Sequence, residues 1–172
     1  MAFLRHSFLA SALAVSLLTS AGGAAALDKP TGDVILTITA ERIDHPNVDG
    51  TAQFDLAMLE ALAGRSGEME TPWTEGRVKF SGPLLRAVIE AAGAHGTTMK
   101  VRAINDYAAD VPMDDAVLLD TILATRMNGE TMSIREKGPL FLIYPFDKDP
   151  GLYNEKYFSR SVWQIKAIEV AR

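Results

Sequence analysis

Four short segments combine planar aromatic rings with hydrogen-bonding side chains: Thr71-Pro72-Trp73-Thr74, Asn105-Asp106-Tyr107, Thr125-Arg126-Met127-Asn128-Gly129 and Ser159-Arg160-Ser161-Val162-Trp163. Trp73, Tyr107 and Trp163 can stack on a flat ring, while Thr74, Asp106, Arg126, Arg160 and Ser161 can bond heteroatoms at its edge. Each segment lies at a predicted strand end or in the adjoining loop, where sites are commoner than in strand middles. The same rings would serve equally well as core or rim residues. By themselves they suit a flat, nitrogen-rich ligand without requiring one.

Other chemistries find less support. The chain has 172 residues, 3 His and no Cys, so no thiolate is available as nucleophile or metal ligand. His45 and His95 each sit beside a turn, without metal-ligand spacing to another His. No G-x-S-x-G occurs, and nothing pairs a His with a nucleophilic Ser. Asp147-Lys148-Asp149 lacks the regular oxygen ligands and the closing Glu of a calcium loop. Gly64, Gly67, Gly76 and Gly82 fit neither a Walker nor a dinucleotide pattern. The 17 Lys and Arg are mixed among 22 Asp and Glu for a net charge of −5. With no basic run, nucleic acid is a poor candidate partner.

The elements that must position the four segments read as several strands and a few short helices. Val34 to Thr39 alternates with Val34, Leu36 and Ile38 on one face, and Thr51 to Phe54 reads as a short strand. Asp55 caps a helix from Leu56 to Ala63, ended by Gly64. Arg77 to Phe80 is a strand; Ser81-Gly82-Pro83 starts a helix with Leu84, Leu85, Val88, Ile89 and Ala92 on its apolar stripe, stopped by Gly93. Thr98 to Ile104 is a strand, and Pro112 with Asp114-Asp115 opens a short helix to about Leu119. Ile122 to Met127 pairs through the Asn128-Gly129 turn with Thr131 to Ile134. Leu140 to Tyr144 is a buried strand, Asp147 to Phe158 a long polar loop, and Trp163 to Val170 a closing strand with a bulge near Ala167. Without a strict β-α-β rhythm, this is an α+β domain with a mixed sheet and short helices.

The first residues point to export. Arg5 and His6 precede an apolar stretch from Phe8 to Leu18, and Ala24-Ala25-Ala26 offers a small-residue cleavage site. The stretch is shorter than the roughly 20 residues of a membrane span. Residues 1–26 are therefore expected to be a removed signal peptide. Residues 27–172 would then form one periplasmic domain that does not insert into the membrane.

Taken in order, the polar-aromatic segments and their neighbours resemble the molybdopterin-binding domain of the sulfite oxidase superfamily. Phe54-Asp55-Leu56 with Leu59 is similar to the start of its first helix, and Phe80-Ser81-Gly82-Pro83-Leu84-Leu85 to its sGvpL turn. Asn105-Asp106-Tyr107 with Val111-Pro112 resembles a DGY…iP stretch, and Leu123 to Gly129 an lAyemNG hairpin. Lys137-Gly138-Pro139-Leu140 through Tyr144-Pro145 is similar to HGxPlRlvvP. Arg160-Ser161-Val162-Trp163 followed by Ile168-Glu169-Val170 resembles RSVKW…Iev.

The resemblance implies a sulfite-oxidase-like molybdopterin-binding fold, but the departures bear on chemistry. The catalytic members hold molybdenum through a cysteine placed near Glu70-Thr71-Pro72-Trp73-Thr74, and this chain has none. A Thr hydroxyl is a poor replacement for a soft thiolate. The HGxP histidine is Lys137 here, and the SVKW lysine is missing. Small exported members without the cysteine act as pterin-binding proteins partnered with an inner-membrane receptor that controls cyclic-di-GMP. Likeness to them implies a non-catalytic pterin sensor that takes a pterin, reduced or oxidised, without molybdenum. Trp73, Tyr107 or Trp163 would stack on the pteridine, Asp106 would bond its 2-amino and N3 edge, and Arg126, Arg160 and Ser161 its oxygen or side chain. The alternatives are a molybdopterin-dependent oxidoreductase with a non-cysteine metal site, and an interaction domain that has lost the pocket.

Overall fold

The computed structural model describes residues 26–172, so the leader expected at 1–26 lies, but for its last residue, outside the described residues. Strand β1 (Leu36–Ala40) buries Leu36 and Ile38 completely. It pairs antiparallel with β2 (Ala52–Phe54). Asp55 then caps α1 (Leu56–Glu60), accepting the Met58 amide at 2.9 Å. Its second oxygen accepts the amides of Thr31 and Gly32, each at 2.9 Å, so one carboxylate starts the helix and anchors the polar lead.

A long antiparallel pair follows, β3 (Gly64–Glu70) with β4 (Arg77–Pro83). Helix α2 (Leu85–Ala92) presents Leu85, Val88, Ile89 and Ala92 to the core and ends at Gly93. Next come β5 (Thr98–Ala103), β6 (Ala108–Pro112) and the short α3 (Asp114–Val117). Strands β7 (Ile122–Ala124), β8 (Arg126–Met127) and β9 (Glu130–Thr131) lead to β10 (Phe141–Ile143), the short α4 (Glu155–Phe158) and β11 (Ile165–Ala171).

The strands form a five-stranded sheet in the order β2-β1-β11-β5-β6, a four-stranded sheet β3-β4-β8-β9, and the pair β10-β7. Only β1 and β11 run parallel among the described pairs; the other neighbours are antiparallel. This is the expected α+β class with a mixed sheet and short helices. Among the described residues no helix is long and apolar enough to cross a membrane.

Two local expectations are corrected, and two strands, β3 and β6, have no counterpart in the sequence pattern. Ser81-Gly82-Pro83 continues β4, and the helix begins at Leu85, because Gly82 lies hard against β7. A Cβ there would fall 2.1 Å from the Leu123 carbonyl oxygen and 2.9 Å from the Ala124 Cα. Strand β3 was not legible in Gly-Arg-Ser-Gly-Glu-Met-Glu, whose one large apolar residue is Met69; pairing along all of β4 defines it. Strand β6 occupies Ala108–Pro112, to which the sequence pattern assigns no element, and includes the Pro112 expected to open the next helix. The single strand from Ile122 divides at Thr125, whose amide donates to the Ser81 carbonyl at 3.0 Å. The Asn128-Gly129 turn has both residues at positive φ, 53° and 88°. The closing strand carries its register shift between Ile165 and Ala167, as the sequence leads one to expect.

Two outcomes follow. Gly82→Ala must push β4 off β7 and lowers stability by about 3 kcal/mol, read from urea unfolding. The Asp55 carboxyl is held below its usual range by the Met58 amide, then by that of Gly32. Its contribution is complete above the unfolded-state value of about 4 and is lost as pH falls through the depressed folded value. Asp55→Asn therefore lowers the melting temperature by a few degrees near pH 7, and the two proteins converge in acid.

Candidate functional site

The turn after β3 carries Trp73. Its amide donates to the Thr71 hydroxyl at 3.3 Å, and the Thr71 and Thr74 hydroxyls bond each other at 2.8 Å. Trp73 is thereby turned onto the aromatic core. Its ring meets Phe141, Phe158 and Trp163 edge to face, with centroids 5.5, 5.7 and 6.0 Å apart. Phe141, wholly buried in β10, also meets Trp163 at 5.9 Å and Phe80 at 5.9 Å. Lys137 sits over the outer part of this cluster, its Nζ 5.5 Å from the centre of the Trp163 ring.

Above these rings opens a cleft of about 380 Å³. Trp73, Trp163, Phe158 and Tyr107 supply its aromatic surface; Asn105, Glu155, Ser159 and Ser161 supply its polar groups. The volume is in the range of small-ligand sites. Trp163 is 37% exposed and Tyr107 52% exposed, so both present ring area to the cleft mouth. Tyr107 is nonetheless fixed: its hydroxyl donates to the Ser159 carbonyl at 3.1 Å and its amide to Asn105 Oδ1 at 3.2 Å. The Ser161 hydroxyl donates to the Tyr157 carbonyl at 2.9 Å, and its lone pairs remain available as acceptors.

Of the residues singled out in the sequence, Trp73, Tyr107, Ser161 and Trp163 converge on this cleft. Thr74 stands in the turn behind Trp73 rather than among the lining residues. Asp106, at φ 66° in the β5–β6 turn, faces solvent and pairs with Lys166 Nζ at 2.8 Å, which holds its carboxyl below the usual range. The edge-bonding role expected for Asp106 therefore has no geometry to support it here.

The two arginines are also placed elsewhere. Arg126 grips Glu60 through Nε at 2.7 Å and a terminal nitrogen at 3.0 Å. This pair lines a separate opening beside Arg65, Ser81 and Thr125, which shares no residue with the aromatic cleft. Its hydrogen bond to Arg126 keeps the Glu60 carboxyl below its usual range. Arg160 turns inward and donates to Asp115 Oδ2 at 2.9 Å. That same oxygen accepts the hydroxyl of buried Tyr144 at 2.7 Å. Burial first, and the Asp115 bond second, raise the Tyr144 phenol well above its ordinary value. Arg160 thus ties the Ser159–Trp163 wall to α3 instead of reaching into the cleft.

Glu155 and Phe158 are cleft residues that fall inside the polar loop expected over Asp147 to Phe158. The available signal was Asn154, a helix-capping residue, ahead of Tyr157-Phe158. Asn154 Oδ1 accepts the Lys156 amide at 3.1 Å, which starts α4 and fixes Glu155 at the rim.

Breaking the wall tether has a measurable cost. Arg160→Ala leaves Asp115, only 10% exposed, facing Tyr144 without its cation. It lowers stability by about 3 kcal/mol in urea, whereas Tyr144→Phe, which keeps the ion pair, costs about 1 kcal/mol.

No curated protein matches the chain. The sequence model of the oxidoreductase molybdopterin binding domain matches residues 54–171, a span that contains every residue lining the aromatic cleft. The chain therefore belongs to the oxidoreductase molybdopterin-binding domain family.

Proposed function

We propose that this protein is a non-catalytic, periplasmic pterin-binding protein that reports pterin to an inner-membrane receptor governing cyclic-di-GMP. The observation that carries the binding half is the cleft bounded by Trp73, Trp163, Phe158 and Tyr107 in a domain whose family binds a pterin-based cofactor. Aromatic faces with a few fixed polar groups suit a planar bicyclic heterocycle.

The residues do not fit the metal of the catalytic relatives. The chain has no Cys. In the segment where those relatives carry the thiolate, the Thr71 and Thr74 hydroxyls are engaged with each other. Among the described residues no group of three or more His, Asp or Glu side chains converges. Hard, mutually bonded hydroxyls are poor ligands for a centre that the relatives hold through sulfur. Recognition of the organic ring without redox chemistry is the reading that agrees with this donor set.

The signalling half rests on resemblance to small, cysteine-less exported members and on where the cleft wall lies. Glu155 and Phe158 line the cleft from α4, while Tyr153, just ahead of it, is 46% exposed. A ligand that orders α4 would alter a surface a partner can read.

Titrating the mature domain with dihydropterin and tetrahydropterin, followed by Trp fluorescence and calorimetry, tests the binding half. Saturable quenching with measurable heat is expected. Trp163→Ala should weaken binding by about 10-fold while the protein still melts cooperatively. No emission change and no heat would overturn it. Stoichiometric molybdenum in protein taken from its own periplasm would overturn the non-catalytic reading.

A further inference from the structure

We infer that Glu155 sets the ring specificity of the cleft, selecting a heterocycle with adjacent ring N–H and exocyclic amino donors over its dioxo counterpart. The inference rests on the pterin reading above and deepens it.

The argument comes from which polar groups in the cleft are already spent. The Tyr107 hydroxyl is committed to the Ser159 carbonyl. The Ser159 hydroxyl donates to the Lys156 carbonyl at 3.0 Å, and the Ser161 hydroxyl to the Tyr157 carbonyl. Asn105 Oδ1 accepts the Tyr107 amide, leaving its Nδ2 as a donor. Glu155 differs: it lines the cleft, yet no ion pair or side-chain hydrogen bond engages its carboxylate among the described residues. The neighbouring cations are occupied. Lys156 lies over the Tyr157 ring at 4.9 Å, Lys137 lies over Trp163, and Arg160 is bound to Asp115.

A carboxylate offers acceptors only. Its best partner is a pair of parallel N–H groups, the arrangement at the 2-amino and N3 positions of a 2-amino-4-oxopteridine. A 2,4-dioxopteridine puts an oxygen where the amino group stood and sets it against the carboxylate. The free Asn105 Nδ2 can serve the 4-oxo group common to both rings. The backbone that carries Glu155 is fixed: Asn154 caps the turn, its Nδ2 donating to the Gly151 carbonyl at 2.8 Å and its Oδ1 accepting the Lys156 amide.

The test compares pterin (2-amino-4-oxopteridine) with lumazine (2,4-dioxopteridine) on the wild-type domain and on Glu155→Gln, by Trp quenching. Circular dichroism melts check that the exposed substitution leaves the fold intact. Wild type should prefer pterin by about 10- to 100-fold, the range expected for charge-assisted bonds. Glu155→Gln should lose most of that preference through weaker pterin binding, with lumazine unchanged or improved. Equal wild-type affinity for the two rings, or an undiminished preference in Glu155→Gln, would overturn the role of Glu155 and leave the pterin reading standing. Binding of neither ring, nor of dihydropterin or tetrahydropterin, to wild type would overturn both, whereas binding of the reduced pterins alone would overturn the role of Glu155 in this comparison and leave the pterin reading standing.

Discussion

Phe141 is held by β7 on one side, where it pairs with Ala124, and bridges on the other to Trp163. Its ring touches Phe80 from the four-stranded sheet and both tryptophans of the cleft. The core and the candidate site are consequently one continuous aromatic body. Trp73 is held edge to face against the wholly buried Phe141, and against Phe158 and Trp163 at the cleft itself. A ligand entering the cleft meets rings that are anchored beneath by the buried Phe141 and Phe80. Adjustment is left to the rim, where Tyr107, Glu155 and Ser159 stand on turns and a short helix.

That rim is fastened by charge as well as by packing. Arg160 and Tyr144 converge on one oxygen of Asp115, Arg65 pairs with Asp147, and Lys148 pairs with Asp120. The segment from Asp147 to Trp163 is thus pinned near its start by ion pairs and near its end by a half-buried network. Groups that would bind a ligand well in isolation are used to shape the wall instead. The cleft keeps few uncommitted polar atoms, and the ones it keeps acquire corresponding weight in recognition.

Much of this was legible in the sequence where local chemistry decides the outcome. Asp55 before an apolar run, Asn128-Gly129 between short strands, and the broken alternation near Ala167 each specify a cap, a turn or a bulge with no help from distant residues. Trp73, Tyr107 and Trp163 could be singled out at strand ends among polar residues, a pattern that suits a core or rim as well as a site; that they share one cleft is visible only in the fold. What remained hidden was set by partners far along the chain. Arg126 and Arg160 read as free cations because Glu60 and Asp115 lie 66 and 45 residues away. Strand β3 has almost no pattern of its own and exists because β4 pairs with it along its length. Glu155 was masked by a run of Asp, Pro, Gly and Asn that reads as open loop, although Asn154 begins a helical turn within it.

The order of strands in the largest sheet carries a consequence for how the molecule comes into being. Strand β11, last in sequence, sits at its centre between β1 and β5. Until residues 165–171 emerge, β1 and β5 have nothing to bridge them, and the sheet remains as two unjoined pieces. Its assembly must wait for the far end of the polypeptide, since this long-range closure precedes most of the gain from burying Leu36, Ile38 and Val101. A chain built in this way stays open while its last strand is missing, and closes its largest sheet only when residues 165–171 arrive.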